Sequence, residues 1–282
     1  MIENQTKEKY SWEEAIEILR NNPRHVQLVY DAYLTRDLVQ NCQRFYESDE
    51  FKEVVKLVKL YNPSATKVLD IPAGNGIATY AFAKAGYEVT AVEPDNSELL
   101  GRRAIGFVFK STNLNCEIVN SYGEELPFND ELFDVIYVRQ GLHHAYNLEL
   151  MLKEYSRVLK KGGILIACRE HVVDNKKGSL QAFLDKQVDH QLYGGENAFL
   201  LNEYLHAIKK AGLNIITKFG PYSSPINLHP FKIEDIENRI LQSKYSKILL
   251  KIFPSKLVLK IALFALKLFP RPGRLYSFVA QK

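Results

Sequence analysis

Two carboxylates and two glycines, gathered in one strand–turn–helix–strand stretch, are the residues of this chain best placed to do chemistry. In Val68-Leu69-Asp70-Ile71-Pro72-Ala73-Gly74-Asn75-Gly76 an apolar strand runs into a turn of small residues and then directly into a helix. Glycines in such a turn let a ligand approach the backbone, and the helix start offers free N–H groups. Glu93 closes the next apolar strand, 17 residues after Gly76. A carboxylate there can accept hydrogen bonds from both hydroxyls of a ribose. Asp70 can meet the ammonium of an amino-acid group and would repel a pyrophosphate, and the full G-x-G-x-x-G spacing is missing. A turn of this kind taken alone also fits a dinucleotide, a phosphate or no ligand at all.

Further candidates follow two later strands. Arg139, Gln140, His143 and His144 follow the fourth, and Arg169, Glu170 and His171 the fifth. An imidazole, with its ordinary pKa near 6.5, can take a proton from a hydroxyl at neutral pH. His144, His171 and His143 are therefore candidate bases, with packing as the alternative role. An irregular stretch, 172–198, brings Asp185, Asp189, His190, Tyr193, Gly194, Gly195, Glu196 and Asn197. His190, Tyr193 and Asn197 are expected to line an acceptor pocket with Arg169 and Glu170, unless the glycines only make a tight turn. Tyr46, beside Arg44 and Phe45 in the N-terminal part, can close over the site as a lid or simply pack there. No metal is expected, because His171, Asp174 and His229 lack ligand spacing.

The elements that must position these groups fall into a clear order. Ser11-Trp12-Glu13-Glu14 is a capping box opening a helix that Asn21-Asn22-Pro23 ends. Further helices are expected at 26–34 and 48–60. After Asn62-Pro63 the pattern becomes apolar strands alternating with helices, the mark of a parallel sheet with crossovers. Strands are expected at 67–71, 87–92, 116–120, 135–138, 163–167, 214–219 and 275–280, with helices at 77–85, 96–108, 148–159 and 201–211.

Composition sets the outer limits. Hydrophobic residues at 46% and charged residues at 25% exclude a disordered or fibrous chain. Cys42, Cys116 and Cys168 are odd in number and widely spaced, so neither a disulfide framework nor a zinc knuckle is indicated, and a reducing cytoplasm fits. Residues 1–9 are polar and mixed in charge, without the apolar core of a secretory signal. The charge is uneven. From Asn238 to Lys282 there are ten Lys and Arg and no acid, so a net +4 divides into about −6 before that segment and about +10 within it. Its longest uncharged apolar run, 261–266, is far short of the roughly 20 residues a membrane span needs. Lys256, Lys260 and Lys267 fall along one side of a helix, which either packs on this chain or a second subunit, or lies on an anionic membrane surface at the inner face. Nucleic acid is not expected, since aromatic residues do not interleave with the basic ones.

Four later segments carry a family resemblance. Gly123-Glu124-Glu125-Leu126-Pro127-Phe128, Phe133-Asp134-Val135-Ile136-Tyr137, Leu142-His143-His144 and Arg157-Val158-Leu159-Lys160-Lys161-Gly162-Gly163 resemble the successive motifs of class I S-adenosylmethionine-dependent methyltransferases. The resemblance covers roughly residues 65–220. It implies an α/β, Rossmann-like sheet of seven strands, mostly parallel, whose last strand is antiparallel and inserted beside the fifth. It also implies S-adenosylmethionine as cofactor: Asp70, Ala73, Gly74 and Gly76 would hold the methionine part, Glu93 the ribose, and Pro94 and Asp95 would flank the adenine. Ser121, Tyr122 and Gly123 would line its other side, with Arg139 or Gln140 under the sulfonium. Two departures stand out. Pro72 replaces the usual glycine, and Ser121-Tyr122 replace an acid common after the third strand.

The organisation expected is a helical cap (1–62), a cofactor-binding core (63–220, with the insertion 172–198), a basic helical insertion (221–272) and a final core strand (273–282). The expected activity is O-methylation of a small-molecule or glycan-like acceptor. An N-methyltransferase, a non-catalytic binding module and an NAD(P)-dependent oxidoreductase remain as alternatives. The oligomeric state is left open.

Overall fold

The computed structural model describes residues 10–268 and 271–282. The polar segment 1–9 and the side chain of Lys267 lie outside the described residues. Four helices come first: α1 (Trp12–Asn21), α2 (Val26–Asp31), α3 (Leu38–Glu47) and α4 (Asp49–Tyr61). The capping box of α1 forms as expected: the Ser11 side chain accepts from the backbone N–H of Glu14, and the Glu14 carboxylate accepts from that of Ser11. Helix α3 is an addition to the sequence reading.

The sheet contains β1 (Lys67–Asp70), β2 (Glu88–Val92), β3 (Glu117–Val119), β4 (Phe133–Arg139), β5 (Leu159–Val173), β6 (Phe199–Leu200), β7 (Asn214–Phe219) and β8 (Arg274–Gln281). Its order is β3-β2-β1-β4-β5-β8-β7, with β6 paired to β5 off this path. β8 runs antiparallel between β5 and β7, as the resemblance implied. Among the described residues the two-residue β6 makes an eighth strand where seven were expected.

The crossovers are α5 (Ile77–Lys84), α6 (Arg102–Thr112), α7 (Leu148–Val158) and α10 (Leu201–Lys210); the short α8 (Gly178–Leu184) and α9 (Val188–Leu192) precede β6. Successive strand residues point to opposite faces. Val68, Val135, Tyr137, Ile164 and Ile166 therefore pack with α3, α4, α5 and α6. Leu69, Ile136, Val138, Leu165 and Ala167 pack with α7 and α10 on the other face. Helix α6 begins six residues later than expected. Segment 95–101 is instead a loop, in which a Cβ on Gly101 would come within 2.4 Å of the Asp95 carbonyl oxygen. Between β7 and β8 lie α11 (Ile233–Gln242), α12 (Lys244–Leu249) and α13 (Ser255–Leu268). Among the described residues no helix is long and apolar enough to cross a membrane.

Candidate functional site

The strand order reverses between β1 and β4, and the carboxyl ends of adjacent strands open a crevice there, where such sheets bind ligands. Asp70 lies in register with Ala91 of β2 and Tyr137 of β4, so the loops carrying Gly74, Glu93 and Gln140 leave the same sheet edge. Asp70 is buried; one oxygen accepts the Thr79 hydroxyl at 2.6 Å, and Oδ1 has no hydrogen-bond partner among the described residues. Burial pushes its pKa up to about 7, with Glu93 adding repulsion against hydrogen bonding from Thr79. Glu93 is also raised to about 7, first by burial, although it accepts the N–H of Gly74 at 2.7 Å and of Asp95 at 2.9 Å. Each of its oxygens retains capacity for another donor.

The departure at Pro72 has a packing reason. A Cβ on Gly141 would fall 2.3 Å from Pro72 Cδ, so the turns after β1 and β4 touch, and only glycine at 141 admits the ring. Ser121 donates its hydroxyl to the Glu125 carbonyl within its own turn, Tyr122 is exposed, and Gly123 is buried against Tyr155 and Met151. Pro94 is half-buried, and Asp95 anchors its loop through the N–H of Ser97 at 2.5 Å and of Arg102 at 2.9 Å.

Arg139 lies against the helical cap. Its guanidinium donates to both oxygens of the fully buried Glu50 at 2.7 and 3.1 Å, beside the rings of Tyr33 and Phe45. Gln140, at φ +52°, accepts from Arg139 through its side-chain oxygen at 3.0 Å. Arg169 joins the same group: it donates to the His229 carbonyl at 3.0 Å and stands 3.9 Å from Glu50. Glu50 was missed in the sequence, because nothing local to α4 links it to a residue 89 positions away. Asn75 adds a second tie to the cap by donating to the Tyr33 carbonyl at 2.8 Å.

The histidines converge. A register shift in the β5–β8 pairing between Ala167 and Glu170 turns the Glu170 side chain beneath the loop after β4, the kind of re-aiming that bulges produce. Fully buried, Glu170 accepts the backbone N–H groups of Gly141 (3.0 Å) and His143 (3.1 Å) and pairs with His143 Nδ1 at 2.8 Å. The His143 ring lies 4.2 Å from that of His144 and 4.9 Å from that of His171. The loop after α9 brings Glu196 within 3.7 Å of His143 Nε2 and 3.8 Å of His144 Nε2. Burial lowers His143 and His171 to about 3 and His144 to about 4, and raises Glu170 to about 7 and Glu196 to about 8. The imidazoles are thus neutral at physiological pH and, by themselves, weak bases.

The remaining expected site residues scatter. Tyr46 packs on Phe51 and under Lys84, at the far end of α5 from the glycine turn, so it is no cover for the loop. The Tyr193 ring lies tilted against that of Trp12 of α1, with centroids 5.6 Å apart. His190 and Asn197 are half-buried in the segment that carries Glu196. Asp174 is drawn off to Arg274 at 2.5 Å, and His229 stacks on Tyr33 at 4.8 Å, so neither joins His171.

Residues 69–167 match the methyltransferase domain family. Over 150 residues the chain is 26% identical to the demethylmenaquinone methyltransferase of Mycolicibacterium gilvum, a match covering 53% of this chain and 62% of that relative. The matched region thus spans less than two thirds of that relative's length. Among solved structures, the 4+2-cyclase SpnF superposes with a TM-score of 0.55 at 16% identity, covering 92% of this chain and 96% of its own. Geranyl diphosphate methyltransferase, solved with S-adenosylmethionine, gives 0.55 at 12% identity over 82% and 84%. These likenesses show the fold. Within that fold, residues 69–167 are similar to the methyltransferase domain family, and β8 lies antiparallel beside β5.

Proposed function

We propose that the chain binds S-adenosylmethionine along the loops after β1, β2 and β3 and transfers its methyl group to an oxygen of a small-molecule or glycan-like acceptor. The observation that carries the cofactor assignment is Asp70: a buried carboxylate with one oxygen lacking a partner is a ready counter-ion for the ammonium of the methionine part. Glu93, already aligned by two backbone N–H groups, keeps lone pairs for the ribose hydroxyls. An oxidoreductase is disfavoured, since Asp70 would face a pyrophosphate. Bound here, the cofactor supplies a sulfonium methyl, and in-line transfer needs alignment plus removal of a proton when the acceptor is a hydroxyl.

The His143–His144–His171–Glu196 cluster supports a hydroxyl acceptor, because it offers several polar groups at the same sheet edge. The relative's name points to a quinone precursor, and that acceptor is the second arm of the test. Transfer of labelled methyl is expected to hydroxylated acceptors, and His144→Ala or His171→Ala is expected to lower kcat by about 10²–10⁴-fold while cofactor affinity stays unchanged. Full turnover in both variants, with their folds intact, removes these histidines from the reaction.

We further propose that α13 rests on an anionic lipid surface. Leu257, Ile261 and Phe264 are exposed at spacings of four and three, while Val258 is buried beneath them. Lys256 and Lys260 are exposed in the adjoining row, and no acid lies anywhere from 238 onward. An apolar strip flanked by uncompensated lysines suits the boundary between headgroups and acyl chains.

A further inference from the structure

We propose that His143, His171 and Glu196 form a binding site for one divalent transition-metal ion, zinc foremost, at the acceptor side of the sheet edge. One nitrogen of each imidazole and one oxygen of the carboxylate lie within 4.8 Å of one another. The donors come from the loop after β4, from β5 and from the loop after α9, so they converge only through the fold.

The proton positions make the cluster a set of acceptors. The Gly273 carbonyl can only accept, so His171 Nδ1, 3.1 Å away, carries the proton and leaves Nε2 as a lone pair. The Glu170 carboxylate, held by two backbone N–H groups, fixes His143 in the same tautomer. Such a carbonyl or carboxylate behind the imidazole is the usual support of a metal-ligating histidine. His144 repeats the pattern, with Nδ1 on the Gly195 carbonyl at 3.3 Å and Nε2 facing Glu196 at 3.8 Å.

Lone pairs therefore face the Glu196 carboxyl group at 3.7 and 3.8 Å, too far for hydrogen bonds and, once Glu196 is ionised, with acceptors on both sides. A cation between them resolves that opposition. Metal bonds near 2.0–2.2 Å to imidazole and carboxylate place neighbouring donors roughly 3–3.5 Å apart, so the cluster needs to tighten only modestly. Two imidazoles and a carboxylate suit zinc and its first-row neighbours and leave an open position. An oxygen of the acceptor would take that position; this role, unlike metal binding itself, rests on the methyl-transfer reading above.

The test uses the full, untagged chain stripped with chelator and then titrated with Zn²⁺, with Mg²⁺ and Mn²⁺ in parallel. About one equivalent of Zn²⁺ is expected to bind, and Co²⁺ in its place is expected to give the visible absorption of a low-coordinate site. Glu196→Gln and His171→Ala are expected to abolish stoichiometric binding, and Glu170→Gln to weaken it about 10–100-fold. S-adenosylhomocysteine titrated into Glu196→Gln checks that its fold and cofactor site are intact. The proposal is overturned by the absence of stoichiometric Zn²⁺ in the wild-type chain, or by equal binding in a folded Glu196→Gln. Zn²⁺ binding in a chain that fails to transfer methyl would leave this site standing and sink only the methyl-transfer reading.

Discussion

Glu50 and Arg139 form a two-point ion pair, at 2.7 and 3.1 Å, that ties helix α4 to the carboxyl end of β4. Glu50 is fully buried and answers two guanidinium groups, since Arg169, itself buried, stands 3.9 Å away. Burial alone would push its carboxyl up, but Arg139 and Arg169 outweigh it and hold the pKa below the usual carboxylate range. The stability this contributes is present above the unfolded pKa and is lost as pH falls through the folded one. Removing one partner of a buried pair leaves an uncompensated charge, which costs about 3–5 kcal/mol. Glu50→Ala is therefore expected to lower Tm by roughly 6–20 °C. A scan showing a shift below two degrees would mean that water already reaches the arginines.

The pH dependence of cofactor binding has a definite sign. Asp70 and Glu93 are both raised to about 7 by burial, Asp70 with Glu93 adding to the rise and Arg139 opposing it, Glu93 with Asp95 adding and Arg102 opposing. In the ligand-free protein a raised carboxyl is a cost to stability that grows as pH climbs from about 4 to about 7. An ammonium bound to Asp70 favours the ionised form, so affinity for S-adenosylhomocysteine is expected to rise by up to about tenfold per pH unit from 5 to 7 and then flatten. The increase in Tm on adding S-adenosylhomocysteine should grow over the same interval. Asp70→Asn should flatten both curves; an unchanged slope in that variant would assign the linkage elsewhere.

Helix α13 makes a prediction about vesicles. At about 1 kcal/mol per basic residue near an anionic surface, Lys256 and Lys260 together supply about 2 kcal/mol, or roughly thirtyfold enrichment before apolar insertion. The chain is expected to co-sediment with phosphatidylserine vesicles at low salt and less at high salt, with Lys256→Glu and Lys260→Glu together releasing it. No sedimentation with anionic vesicles at low salt would show that the strip faces water or another protein.

Most of the core was legible because its strands are short apolar runs bounded by turn residues, and β7 falls at 214–219 in both reading and structure. Helix α3 was hidden by Asn41, a polar residue at a fully buried position, where its amide donates to the Thr35 carbonyl and its oxygen accepts the Thr35 hydroxyl. That breaks the apolar period set by Leu38, Cys42 and Phe45. Strand β5 outran its expected end because Cys168 to Val173 mix charged and apolar residues, yet most are buried between β4, β6 and β8. Glu50–Arg139 and the three-segment His143–His171–Glu196 cluster have no local spacing to betray them. Only the fold brings their partners together.

The central claim is that Asp70 and Glu93 hold S-adenosylmethionine, and calorimetry with S-adenosylhomocysteine and NAD at pH 7.5 tests it most directly. One equivalent of S-adenosylhomocysteine should bind and NAD should not. Glu93→Ala should lose about 1.5–3 kcal/mol, or one to two decades of affinity, the range for hydrogen bonds to a charged group. Binding of NAD in preference, or unaltered S-adenosylhomocysteine affinity in Glu93→Ala, would contradict the account.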